Sequence, residues 1–149
     1  MKLAIKEVND KNNNEVLKLK VKKSQEGFIE TVEECLNEAK QISLWRPVGI
    51  YNYNELIGFA MYGLWENEGA DGRVWLDRFM IGDEFQGKGY GSESLKLILS
   101  RIHNQYKRNE IYLSIYENND LAIKMYEKIG FKFNGELDIN GEKIMKLEV

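Results

Sequence analysis

Gln86-Gly87-Lys88-Gly89-Tyr90-Gly91 is the densest signal in this sequence of 149 residues. Glycines at alternate positions let a backbone turn sharply and approach a ligand closely. An apolar, strand-like run precedes the segment (Arg73 to Ile81), and Leu95, Ile98, Leu99 and Ile102 follow it at helical spacing over residues 92–102. The first N–H groups of such a helix have no internal partners. A strand, a glycine turn and a helix start together form an anion cradle suited to phosphate. Two other phosphate loops fail on the residues. No glycine pair here is followed by the Lys-Ser/Thr of a P-loop. The third glycine of a dinucleotide fingerprint would fall on Ser92 or Ser94.

Before the loop, alternation of Leu3 and Ile5 with Lys2 and Lys6 predicts a strand over 2–8, and residues 13–22 a short helix. Residues 30–42 place Val32, Cys35, Leu36 and Ala39 on one helical face, with acids early and Lys40 late. Val48 to Tyr51 and Leu56 to Leu64 flank a polar turn and predict a hairpin, followed by a loop over 65–72. After the glycine loop come a strand from Ile111 to Tyr116, a helix over 120–129 stopped by Gly130, and strands at 131–133 and 143–147. The predicted order is β-α-α-β-β-β-α-β-α-β-β in one domain, residues 1–149.

Apolar residues make up 43% of the chain, enough to build a core without staples. The net charge of −3 argues against a nucleic-acid surface, which needs a basic face. One cysteine, Cys35, and one histidine, His103, leave no disulfide framework, no Cys-based zinc site and no multi-His metal site. Cys35 reads as a small buried hydrophobe. No run approaches the length of a membrane span and the N-terminus carries no leader pattern, so a cytoplasmic protein is expected.

Gln86-x-x-Gly89-x-Gly91 after an apolar strand resembles motif A of the GNAT superfamily of N-acetyltransferases. Asn119-x-x-Ala122-x-x-x-Tyr126-Glu127-Lys128-x-Gly130-Phe131 resembles its motif B, and the two stand in the right order with the right elements between them. Asp77-Arg78-Phe79 and Gly91-Ser92-Glu93 are similar to the bacterial spermine/spermidine acetyltransferases within that superfamily.

The resemblance implies a mixed α/β (α+β) GNAT fold. Its central, mostly antiparallel sheet would be splayed between the fourth and fifth strands and flanked by helices. It implies acetyl-CoA as donor and no metal. The diphosphate would lie on the amides of Gln86, Gly87, Lys88, Gly89, Tyr90 and Gly91, and the pantetheine arm along Phe79, Met80 and Ile81. Asn119 would bond that arm, or serve as a helix N-cap. Tyr126 would protonate the departing thiolate, although an inward tyrosine also reads as core. Asp77 would take a proton from the amine or hold the ammonium. A salt bridge from Asp77 to Arg78 is opposed by strand alternation.

The implied acceptor is a small cationic amine, spermidine or spermine, which attacks the thioester directly in a ternary complex. A protein N-terminus, a lysine or an antibiotic amine is the alternative acceptor, and a non-catalytic CoA sensor the alternative class. Glu30, Glu34 and Glu66, with Glu26, Glu33, Glu68 and Asp71 nearby, are candidates to receive the cation, or are simply a solvated face. Trp45, Trp65 and Tyr62 are candidates to stack on it. Arg78 departs from the doubled acid of some polyamine enzymes. The superfamily allows a homodimer, through an exposed C-terminal strand.

Overall fold

The computed structural model describes residues 1–28 and 30–149. Seven strands and four α-helices follow the predicted order: β1 (Leu3–Glu7), α1 (Asn13–Leu17), α2 (Val32–Gln41), β2 (Arg46–Asn52), β3 (Glu55–Trp65), β4 (Arg73–Ile81), α3 (Tyr90–Tyr106), β5 (Glu110–Ile115), α4 (Asp120–Ile129), β6 (Lys132–Leu137) and β7 (Lys143–Glu148). They form one sheet in the order β1-β2-β3-β4-β5-β7-β6. Every adjacent pair is antiparallel except β4 and β5.

Local chemistry explains the helix limits. Thr31 and Glu34 close a capping box at the start of α2, with Glu34 N donating to Thr31 Oγ1 at 3.1 Å and Thr31 N donating to Glu34 Oε1 at 3.1 Å. The helix predicted over 13–22 stops at Leu17, and beyond it Lys20 O accepts a tertiary hydrogen bond from Asp83 N at 2.7 Å. α3 runs longer than predicted, from Gly89 at φ +85° to a left-handed Lys107 at φ +56°.

One face of the sheet packs on Leu95, Ile98, Leu99 and Ile102 of α3, with Tyr126 of α4 and Phe131 beside them. The other packs on Val16 of α1 and Val32, Cys35 and Leu36 of α2. Cys35 is fully buried, in line with its sequence context. β7 lies inside the sheet between β5 and β6, so the C-terminal strand is not an exposed edge, contrary to expectation. Gly135, at φ +86°, sits within a register break that bends β6, which takes the edge instead.

Two departures from sheet regularity shape the molecule's main cleft. β4 and β5 pair only at Val74↔Ile111 and Trp75↔Tyr112, so they diverge beyond that point. Along β3, Met61 faces Arg78 but Tyr62 faces Leu76, which leaves Asp77 as the extra residue of a β-bulge. Cross-strand partners share a face. Met61 belongs to the α1/α2 face and Tyr62 to the α3 face. The bulge therefore flips Arg78 onto the α2 side relative to Leu76.

Candidate active site

The divergence of β4 from β5 opens a cleft of about 990 Å³. Its floor includes Asp77 to Ile81 of β4 and Leu113 to Ile115 of β5. Gln86, Gly87 and Gly91 close one end, and Asn119, Met125 and Tyr126 stand over the gap. Glu30, Glu34 and Glu38, with Asp138 and Glu142 from the β6–β7 turn, also line it.

The glycine loop is anchored by its first residue. Gln86 Nε2 donates to Ile81 O at 2.9 Å and to Gln25 Oε1 at 2.8 Å, tying the loop to the end of β4. Gly87 and Gly89 adopt φ of +77° and +85°, which side-chain-bearing residues rarely tolerate. Lys88, Gly89 and Tyr90 do not line the cleft. The Lys88 ammonium stands 6.0 Å from the Phe85 ring centroid, and Tyr90 Oη accepts from Asn52 Nδ2 at 3.1 Å. Asn119 holds the N-cap position of α4, but its side chain makes no capping hydrogen bond. The amide is thereby left to face the cleft.

Tyr126 is buried, its ring set edge-on to Phe131 with centroids 5.5 Å apart. Burial pushes its phenol up to about 12, against a smaller lowering by Arg78. The hydroxyl stays protonated at neutral pH and has no hydrogen-bond partner among the described residues. It is a proton donor with no acceptor among the described residues.

Asp77 keeps a solvent-facing edge in the cleft, yet α2 closes on its carboxyl from one side. One of its carboxylate oxygens, Cys35 Sγ and a Glu30 oxygen all lie within 4.8 Å of one another. Lost solvation, then the charges of Glu38 and Glu30, push the Asp77 carboxyl up to about 7, with Arg78 opposing. Burial pushes the Cys35 thiol up to about 12, so it is neither a thiolate nucleophile nor an effective metal ligand at neutral pH. Glu142 also rises to about 7, from burial and its contact with Asp138, and burial with Glu30 raises Glu38.

Strand alternation places Asp77 and Arg78 on opposite faces, and the bulge overturns that expectation. Both residues line the same cleft. Arg78 is buried, and its Nε and Nη2 have no partner among the described residues. Each such orphaned donor costs about 1–3 kcal/mol.

Eight acids line the cleft: Glu30, Glu34, Glu38, Glu68, Asp77, Asp120, Asp138 and Glu142. Arg78 is the one cationic side chain among them. Glu30 and Glu34 fall where the sequence places them. Glu66 does not line the cleft; Glu68, two residues on, does, and accepts from Trp75 Nε1 at 3.1 Å. Trp45 and Trp65 are on the wall, whereas Tyr62 packs on the α3 face, donating to Gln105 Oε1 at 2.7 Å. Sequence reasoning missed Glu38, Trp75, Asp138 and Glu142. Glu38 continues the i, i+4 spacing of Glu30 and Glu34 and was within reach. Asp138 and Glu142 carry no signal beyond their charge, because only the fold of β6 and β7 brings their turn to the cleft.

Comparison with known proteins places this geometry. The acetyltransferase (GNAT) family model matches residues 4–131. The chain is 47% identical to spermine/spermidine N(1)-acetyltransferase of Bacillus subtilis (strain 168), over 100% of both chains. It is 36% identical to spermidine N(1)-acetyltransferase of Escherichia coli (strain K12) over 63 residues, 40% of this chain and 32% of that one. Its fold is similar to that of spermidine N-acetyltransferase from Vibrio cholerae, solved in complex with CoA and spermine. There the TM-score is 0.74 at 20% identity, covering 99% of this chain and 95% of the other. The aminoglycoside acetyltransferase AAC(6')-Ib in complex with coenzyme A gives a TM-score of 0.81 at 17% identity, covering 98% and 94%. A sheet splayed beside a glycine loop, a family match over residues 4–131 and full-length identity of 47% agree: the chain belongs to the GNAT acetyltransferase family.

Proposed function

We propose that residues 1–149 form a single acetyltransferase domain that moves the acetyl group of acetyl-CoA to a primary amine of spermidine or spermine. The observation that carries the acceptor is the cleft wall, with eight acids against one cation. A polycation is what such a wall attracts and holds. Trp45, Trp65 and Trp75 add aromatic faces suited to alkyl chains and ammonium groups. The named substrates of the full-length relative from Bacillus subtilis support the same acceptor.

The residues fit the donor as well. Beyond Trp75 the β5-facing edge of β4 has no strand partner, so the backbone of Phe79, Met80 and Ile81 is open to an extended amide-bearing arm. The free Asn119 side chain stands at the same gap. The amides of Gln86 to Gly91 lead into the N-terminus of α3, where diphosphate charge is favoured. Acetyl-CoA supplies an activated thioester.

Asp77 takes a proton from the incoming ammonium, since only the free amine attacks. A carboxyl near 7 is a better base at neutral pH than one near 4. Tyr126 gives its proton to the departing sulfur, and its raised value keeps that proton available. Glu30, Glu34, Glu38, Asp138 and Glu142 hold the remaining ammonium groups. The protein would act in the cytoplasm, where acetyl-CoA is made and used.

The test is acetyl-CoA turnover against an amine panel: spermine, spermidine, putrescine, a monoamine, an aminoglycoside and a peptide N-terminus. Spermine and spermidine should give the highest kcat/KM. Preference for the peptide or the aminoglycoside would overturn the acceptor, and no turnover with any amine would overturn the enzyme.

A further inference from the structure

We propose that Arg78 is a further catalytic residue, whose guanidinium donates hydrogen bonds to the carbonyl oxygen of the acetyl group. Arg78 sits in the cleft directly after the Asp77 bulge, on the α2 side. It is 6% exposed, and Nε and Nη2 lack partners among the described residues although acids surround the cleft. A buried donor without a protein partner calls for a ligand, an ion or water to complete it. The acceptor substrate is the wrong ligand for this, because a polyamine offers N–H donors, positive charge and one reacting lone pair. Acetyl-CoA is the substrate that brings carbonyl oxygens. Arg78 acts electrostatically on both Asp77 and Tyr126, the groups that handle the incoming and outgoing protons. The reacting carbonyl lies between those two proton transfers.

In the step itself, the amine nitrogen forms a bond to the acetyl carbon, and the carbonyl π electrons move onto oxygen. Arg78 meets that growing negative charge. When the electrons return, the carbon–sulfur bond breaks and the sulfur receives the Tyr126 proton; of the two protons that nitrogen gives up, Asp77 holds the one taken from the ammonium, and the one shed as the amide forms restores the Tyr126 hydroxyl. A preorganised donor aimed at developing charge typically contributes ~10²–10³ in kcat.

This inference rests on the acetyl-CoA part of the proposed function and is independent of which amine accepts. The test compares wild type with Arg78→Met and Arg78→Lys by calorimetry on three ligands: CoA, S-ethyl-CoA, and the unreactive ketone analogue in which CH₂ replaces the thioester sulfur. Only the ketone presents the acetyl oxygen. Wild type should bind the ketone about tenfold or more tighter than S-ethyl-CoA, as a charged hydrogen bond allows. Arg78→Met should lose that preference and keep CoA affinity within about twofold, with kcat falling ~10²-fold or more. Arg78→Lys should recover part of both, retaining charge without the fork geometry. A preference that survives Arg78→Met overturns the proposal. So does a parallel loss of affinity for all three ligands, which would assign Arg78 to the pantetheine arm or to packing. Failure of polyamine turnover in wild type would strike the acceptor assignment and leave the three-ligand comparison intact.

Discussion

The raised carboxyl of Asp77 sets a pH dependence that an ordinary aspartate would not show. Its carboxyl rises from 3.8 to about 7 because protein displaces water around it and because Glu38 and Glu30 add like charge. With a midpoint of about 7, about one molecule in eleven carries the carboxylate at pH 6 and about ten in eleven at pH 8. If Asp77 is the base, kcat/KM for spermidine rises about tenfold over that interval through this group alone. A carboxyl left at 3.8 would be ionised throughout and contribute no slope. The substrate ammonium titrates well above this range, stays charged throughout and adds no slope in wild type. The quantity to plot is therefore kcat/KM of the wild type itself from about pH 5.5 to 8.5.

The wild-type profile should climb with pH and level off above about 8. Glu38→Gln removes the largest of the like-charge effects on Asp77, so the midpoint should move toward acid. Glu142 titrates in the same range and its charge also raises Asp77, so Glu142→Gln should keep the Asp77 limb and move its midpoint less than Glu38→Gln does. A wild-type profile that is flat across the range, or a midpoint near 4, would refute the assignment of Asp77 as base.

Three other perturbations test the same geometry. Tyr126→Phe keeps the ring packed on Phe131 and deletes the proton donor, so single-turnover rates should fall ~10²-fold or more while calorimetric CoA affinity holds. Gly89→Val should weaken CoA binding far more than Lys88→Ala. A Cβ at Gly89 has room, with Met1 Cε nearest at 4.0 Å, but its φ of +85° excludes a β-branched residue, whereas an exposed lysine contributes ~1 kcal/mol or less. Asp77→Asn should raise Tm at pH 8 and lose that advantage by pH 4. The folded chain holds the Asp77 proton up to about 7 and the unfolded chain releases it near 3.8, so wild-type stability declines as pH rises through that window, and the variant escapes the decline.

The element order was readable from periodicity and caps, because each element depends on a short stretch of chain, and the splay between the fourth and fifth strands came from the two motifs. Asn119 and Tyr126, singled out by the second motif, both line the cleft. What escaped depends on residues far apart in sequence. Asp138 and Glu142 reach the cleft only because β7 inserts between β5 and β6. The separation of Glu66 from Glu68 turns on how the loop before β4 settles, with Glu68 held by the Trp75 indole. The shortening of α1 goes with a backbone bond from Asp83 N to Lys20 O, which joins two stretches far apart in sequence.

The bulge at Asp77 is the deepest instance of this. Period-two alternation assigns Asp77 and Arg78 to opposite faces, and no single-strand pattern marks the place where β3 slips by one residue against β4. Without the slip, Arg78 would join the α3 face beside Leu76, a charged group in the apolar core. With it, both side chains enter the cleft, one as a carboxyl that holds its proton near neutrality and one as a guanidinium with free donors. A single inserted residue thus removes a buried-charge penalty from one core and brings a carboxyl and a guanidinium together at the point where β4 leaves β5. The irregular spot in the sheet is where the proposed chemistry is placed. Its cost is visible in the same residues, as a destabilised carboxylate and two orphaned donor nitrogens.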